Sequence, residues 1–265
     1  MIRDITIGQY YPADSVLHKM DPRAKLVGTL VFIISVFVFH TFPGVATIFL
    51  AAMIILSKVP VKFMFKGLKA IVMLLMITVV FNIFLTPGKV LWQWGILHVT
   101  EEGLKLAGRM AIRLTYLVIG SSLMTLTTTP NQLTDGLERL LRPLNKLHVP
   151  IHEIAMMMSI ALRFIPILME ETDKIMKAQI ARGADFETGN IIQKAKNMIP
   201  LLVPLFISAF RRANDLAMAM EARCYHGGDN RTQMKPLRYE SRDYISYVVM
   251  WAYLGIAIVF RIVGI

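Results

Sequence analysis

Cysteine is almost missing from this chain. Cys224 is the single one among 265 residues, so no internal disulfide can brace the fold. Acid is scarce too: 18 Asp and Glu stand against 29 Lys and Arg, a net charge of +11. The acids are scattered along the chain, which speaks against an integral membrane enzyme with clustered acids at an interface. No glycine-rich loop runs into Lys-Ser or Lys-Thr, so the chain is not expected to hydrolyse ATP itself. The first residues are polar and run into "HKMDPRAK" without a short apolar core and a small-residue cleavage site, so no cleavable signal peptide is expected. His148 and His152 are four apart, but Pro150 lies between them and no third ligand is evident, so no metal site is expected.

What the chain has in excess is apolar sequence. It is 55% hydrophobic with a mean hydropathy of +0.54, more than a soluble domain of this length needs. The excess is clustered, which predicts an all-α integral membrane protein. A spanning helix needs roughly 20 mostly apolar residues, and five segments come close. Four fall in an N-terminal membrane bundle, 1–128, near 25–41, 43–57, 68–85 and 106–128. The fifth is a last helix in 244–265. The turn between the first two is "FPG". In "MDPRAKL", Asp21 is placed to cap the first helix, Pro22 suits its first position, and Arg23 and Lys25 anchor that end.

Loop charge gives the orientation. Segment 57–69, "SKVPVKFMFKGLK", carries four lysines and no acid. The turn 40–44 has no Lys or Arg, and 86–105 sets Lys89 and Lys105 against Glu101 and Glu102. The N-terminus and 57–69 are therefore expected inside, and the C-terminus outside. The basic charge then belongs to cytoplasmic loops in a cell membrane and does not imply nucleic acid. Arg109 and Arg113 fall near the outer end of the fourth span, where snorkelling accounts for them.

Residues 129–243 are too long for a loop and oddly apolar. The stretch 129–150 holds leucines at helical spacing, with Thr129 or Asn131 as cap and Pro143 near its end. Two long helices are predicted next, over 151–182, with a kink at Pro166, and over about 191–223. Each is greasy in its first half and amphipathic in its second. They are expected to lie at the inner membrane face as coupling helices, with methionines suited to packing that shifts.

The two helices end alike. Setting Arg182 on Arg223 is a displacement of 223 − 182 = 41 residues. Ile175 then falls on Leu216, Ala178 on Ala219, and Ala181 on Ala222. A lone Arg in a last turn simply answers the helix macrodipole, with Gly183 as a left-handed cap. The recurrence adds something: an apolar strip ending in a fixed cation beside a small residue, twice. That pattern suits docking into an apolar groove floored by carboxylates or carbonyls, and two copies predict two similar receptors.

These ends resemble the paired Ala-Arg-Gly motifs of the transmembrane T component (EcfT/CbiQ-like) of energy-coupling factor transporters. "LHKMDPRAKL" (17–26) and "TTTPNQLTDGLERLLRPLNKLHVPIHEIAMMMSIALRFIPIL" (127–168) resemble two further stretches of that family, so the likeness covers most of the chain in order. One position departs: the second motif reads Ala222-Arg223-Cys224, with Cys for Gly, which puts a close backbone approach there in question. The resemblance implies a non-catalytic subunit of an ATP-driven importer for a vitamin or other micronutrient. Two ATP-binding-cassette ATPases, each carrying its own ATP and Mg, would dock at Ala181, Arg182 and Gly183 and at Ala222, Arg223 and Cys224. Ile175, Ala178, Leu216 and Ala219 would line the docking faces. The unequal motifs point to a heterodimer of ATPases, and a separate small membrane protein would bind the substrate. The competing class is a self-sufficient secondary transporter. It would need ionisable groups or broken helices at mid-membrane, and the predicted spans carry few acids.

Overall fold

The structure, a computed structural model, describes residues 10–38, 43–94, 97–186, 190–227, 234 and 236–263. The turn expected at "FPG" begins outside these residues, at 42, and 229–233 and 235 of the polar stretch before the last helix lie outside them too. The described chain is helical but for one small hairpin, and it divides into two compact units, Gly8–Arg139 with Leu237–Ile265, and Leu140–Pro236.

The first unit is a helical bundle. A single turn, α1 (Val16–Lys19), is capped by Ser15, whose Oγ accepts from the His18 N–H. Then come α2 (Pro22–Val38), α3 (Pro43–Ser57) and α4 (Val61–Leu85). Pro60 stands at the start of α4, and Lys58 turns left-handed at φ 55°. Strands β1 (Val90–Trp94) and β2 (Leu97–Thr100) pair antiparallel in the segment read from sequence as a plain loop. The Thr100 hydroxyl joins this hairpin to its surroundings, donating to Thr86 O at 2.8 Å and capping the Gly103 N–H at 3.0 Å. Helix α5 (Glu101–Thr127) follows, and α9 (Ser241–Val263) completes the unit.

Small residues let these helices approach. A Cβ on Gly120 would stand 2.7 Å from the Phe32 ring, and one on Gly103 would meet Asn82 O at 2.8 Å. Above Gly120 the core is aromatic. Phe49 and Tyr253 stack with centroids 4.3 Å apart, and the Tyr253 hydroxyl meets Ser35 Oγ at 2.7 Å. This satisfies the polar tip of a ring whose face is buried.

The start of α2 is the best-tied part of the unit. Asp21 caps it as expected, accepting from the Arg23 N–H at 2.8 Å. The Arg23 side chain grips the same carboxylate through Nε at 3.0 Å and Nη2 at 2.7 Å, and its guanidinium lies 3.8 Å from the Tyr239 ring centroid. Asp243 accepts from the Asp21 N–H and from the Glu240 N–H, each at 2.8 Å, so one carboxylate secures the beginnings of both α2 and α9. Lys25 was expected to anchor α2 at the membrane face. It is instead buried, donating to Thr127 O at 2.8 Å and His18 O at 3.3 Å. A lysine with two carbonyl acceptors gains more from closing the free end of α5 than from reaching water.

All but the last two residues of α6 (Pro130–Leu141) belong to the first unit; the second holds the 3₁₀ turn Arg142–Leu147 and the long helices α7 (Ile151–Ala181) and α8 (Ile191–Ala222). Thr129 caps α6 reciprocally, its Oγ1 accepting from the Gln132 N–H while the Gln132 side-chain Oε1 accepts from the Thr129 N–H. Helix α7 is continuous through Pro166.

The helices overlap the expected spans, but α4 begins seven residues and α5 five residues before the starts read from sequence, 68 and 106. Among the described residues, Glu101–Thr127, Ile151–Ala181 and Ser241–Phe260 are each long and apolar enough to cross a bilayer. Gly44–Ser57 and Val61–Lys69 reach that standard only together, and they are bent by 118° at the break between them. Ile71–Leu85 is apolar but shorter.

Candidate functional site

The two helix ends singled out from sequence have the same backbone. At the end of α7 the Gly183 N–H bonds Ile180 O at 2.9 Å and the Ala184 N–H bonds Gln179 O at 3.0 Å. At the end of α8 the Cys224 N–H bonds Glu221 O at 2.9 Å and the Tyr225 N–H bonds Met220 O at 3.1 Å. This paired pattern closes both helices as Schellman motifs, with the arginine as the last half-helical residue. Arg182 has φ −89° and ψ 4°, and Arg223 has φ −93° and ψ 15°. The residue after each is left-handed, Gly183 at φ 89° and Cys224 at φ 55°.

The departure from glycine therefore leaves the backbone geometry intact. A non-glycine residue in this conformation costs about 1–2 kcal/mol, so Cys224 is held there against its preference by the two hydrogen bonds around it. The side chains match as well. Ala181, Arg182, Gly183, Ala222, Arg223 and Cys224 are exposed, as are Ala178 and Ala219, while Ile175 and Leu216 are half-buried. Each end offers a guanidinium, three small neighbours and no self-made cover.

One pair of residues escaped the sequence reading. Arg212 Nη2 donates to Glu171 Oε2 at 2.8 Å, joining α8 to α7. The displacement is 212 − 171 = 41, the same as between the two arginine ends. Glu171 precedes Arg182 by 11 residues and Arg223 follows Arg212 by 11. The signal was present in the repeat: the equivalent positions carry opposite charges, which is what two helices crossing about a local twofold need.

The remaining contacts show the helices to be antiparallel. Gln179 Nε2 donates to Pro200 O at 3.3 Å, and Asn197 Nδ2 donates to Asp185 O at 2.6 Å. The first has a particular cause. Pro204 lacks the N–H that would bond the carbonyl four residues back, and Gln179 supplies that donor from the other helix. Because Pro200 lies beside the end of α7, Arg223 is 23 residues further along α8, about 35 Å at the helical rise. The two arginines thus sit at opposite ends of the pair.

The first half of α8 is apolar and open. Ile199, Leu202, Val203, Phe206, Ile207 and Phe210 recur at helical spacing and are all exposed, Phe206 at 67%. Leu201 is the one apolar residue of this stretch that is buried.

The model of the family described as cobalt transport protein, CbiQ, matches residues 13–234. The chain is 57% identical over 266 residues to a Clostridium kluyveri protein named energy-coupling factor transporter transmembrane protein EcfT, covering 99% of this chain and 98% of that one. Proteins of the same name from Ruminiclostridium cellulolyticum and Bacillus subtilis are 56% identical over 245 residues and 45% identical over 260. They cover 92% and 96% of this chain, and 92% and 98% of the relatives.

Proposed function

The chain belongs to the CbiQ family as an energy-coupling factor transporter transmembrane component, and from that premise we propose that its two long helices carry the stroke of two cytoplasmic ATPases to a separate substrate-binding membrane protein. The observation that carries this is the matched pair of exposed arginine ends about 35 Å apart. One docking end would suit one partner. Two copies of one end, facing opposite ways, suit the two halves of an ATPase dimer.

The recognition follows from the chemistry of the ends. Arg182 and Arg223 enter grooves on the ATPases and meet carboxylates or carbonyls with their planar donors. Ala181, Gly183, Ala222 and Cys224 let the groove walls close in, and Ile175, Ala178, Leu216 and Ala219 line the apolar approach. The chain supplies no catalytic group; ATP and Mg stay with the ATPases. The open face of α8 from Ile199 to Phe210 takes the substrate-binding subunit, so that movement of the arginine ends reaches it through one continuous helix. Transport is uptake of a vitamin or similar micronutrient across the cell membrane. The N-terminus and the helix pair's arginine ends lie on the cytoplasmic side and the C-terminus outside, on the strength of the lysines in 57–69.

The test is co-purification in detergent. Arg182→Glu with Arg223→Glu puts a like charge against each groove floor. It should weaken ATPase binding by at least roughly a hundredfold, the scale of a reversed buried charge pair, while the chain keeps its melting temperature. A double variant that still assembles and transports would sink the reading.

A further inference from the structure

The turn between α6 and α7 carries an open apolar edge. In the 3₁₀ helix Arg142–Leu147, side chains three residues apart lie one above the other. Leu141, Leu144 and Leu147 therefore share one edge, and all three are exposed, Leu147 at 73%. Arg142 and Asn145 form the second edge, and Pro143 and Lys146 the third. From Leu141 to Leu147 the ridge is about 12 Å long at the 3₁₀ rise, and a cation flanks it on each side. Among the described residues neither Arg142 nor Lys146 forms an ion pair. The acids nearest in sequence, Glu138 and Glu153, lie outside the turn.

The segments on both sides of the turn are of membrane type. Before it, α6 packs on the start of α2: a Cβ on Gly136 would stand 2.9 Å from Pro22 Cβ and 3.2 Å from Leu26 Cδ1. Leu141 is five residues further along the same helix. After it, α7 is long and apolar enough to cross a bilayer. Ile154, Met157 and Met158, in the first turns of α7, are exposed.

A leucine ridge with a free cation on each flank fits the boundary of a phospholipid leaflet. Acyl chains take the leucines, and phosphates lie on either side of the insertion, within reach of long basic side chains. A protein groove would need an acid on each wall to do the same. We propose that the turn Arg142–Leu147 is seated in the cytoplasmic leaflet, with Leu141, Leu144 and Leu147 among the acyl chains and Arg142 and Lys146 on lipid phosphates. The inference rests on the membrane placement given above, which makes the start of α2 the inner edge. Seated there, the turn gives the first residues of α7 a fixed depth.

Spin-label depth measurements on the full chain in dioleoyl phosphatidylglycerol nanodiscs test this. Cys224→Gly removes the single native thiol, and a nitroxide is attached at Leu144→Cys, Leu147→Cys or Asn145→Cys. Collision with oxygen reports hydrocarbon, and collision with a nickel chelate reports water. The leucine labels should lie about 5–10 Å below the phosphates, and the Asn145 label should stay within reach of nickel. Arg142→Glu with Lys146→Glu sets acids against the phosphates and should lift the Leu147 label into water. If that variant fails to fold, the depths of the leucine labels decide alone. Lys19→Cys, on the exposed turn before α2, checks the placement and should report headgroup depth. No ATPase or nucleotide is present, and both leaflets of the disc are alike, so neither the docking reading nor the orientation affects the outcome. Seated leucines with a Lys19 label far from the headgroups would support the ridge and count against the placement alone. Leucine labels open to nickel would overturn the proposal whatever Lys19 reports. So would labels shielded from both reagents, which would mean that protein covers the ridge, or a depth unchanged in the folded charge-reversed variant.

Discussion

The bundle and the helix pair solve the same problem in opposite ways. In the bundle, two helix termini are closed by side chains from elsewhere in the unit: Asp243 accepts from the Asp21 N–H at the start of α2, and Lys25 closes the end of α5. Aromatic rings fill the space between helices. In the pair, among the described residues, α7 buries only Ile151 and Ala155, and α8 only Leu201. A few polar links join α7 to α8, and the apolar face of α8 is open. The bundle is completed by its own residues; the pair has the surface of an element that other molecules complete.

That contrast can be broken by mutation. The largest effect should come from Asp243→Ala, which strips the acceptor from two backbone N–H groups, one of them buried. We expect a loss of about 2–3 kcal/mol from two caps, read as a fall in the melting temperature of the detergent-purified chain. Asp243→Asn keeps part of this. If the Ala variant melts as the wild type does, the capping account of the bundle is wrong. In the pair, effects on the lone chain should be smaller. Cys224→Gly should relieve the left-handed residue and stabilise the end of α8 by up to about 1 kcal/mol, seen as slower amide exchange in the last turn of α8. Gly183→Cys should cost about as much and leave ATPase docking intact, because Cys224 already serves at the twin position.

Smaller again is Glu171→Gln. The pair it breaks is partly exposed, with Arg212 at 37% and Glu171 at 26%, so the cost should stay under about 1 kcal/mol. The exchange Glu171→Arg with Arg212→Glu should restore it in a double-mutant cycle. The smallest effect is one of pH. Burial holds the His18 imidazole below its ordinary value of 6.5. In the neutral ring, Nε2–H donates to Tyr11 O at 2.9 Å and Nδ1 faces Ser15 Oγ at 2.6 Å. The unfolded chain binds its proton first as pH falls, so bundle stability should decline below about pH 6.5. His18→Gln should flatten that part of the melting curve.

Much of this was legible from residues alone. Asp21-Pro22 marked the start of α2, Thr129 marked α6, and Gly183 marked the left-handed end of α7, because each acts on its own backbone within a few residues. The recurrence of Ala-Arg at 41 residues located both arginine ends before any coordinates. Longer-range features were not legible. Nothing local to "AKLVG" says that Lys25 will turn inward, since its acceptors lie 7 and 102 residues away. The hairpin at 90–100 has no Asn-Gly or Asp-Gly turn to announce it. Cys224 could be read only as a departure from glycine, because the hydrogen bonds that hold it left-handed are set by the helix before it. Nothing local to Glu171 or Arg212 marks them as a pair; their shared spacing gains meaning only from the contact.

That contact has a mechanical meaning. The Glu171–Arg212 link lies 11 residues from each arginine, so each arm beyond it is about 16 Å long. Taking that link as the pin, the pair is a balance with equal arms, tied further on one side by Gln179–Pro200 and Asn197–Asp185. Equal and opposite pushes at the two tips turn it without moving the pin, whereas a push at one tip alone drags the pin sideways. If the pair carries the proposed stroke, it distinguishes a concerted push from a one-sided one by geometry alone.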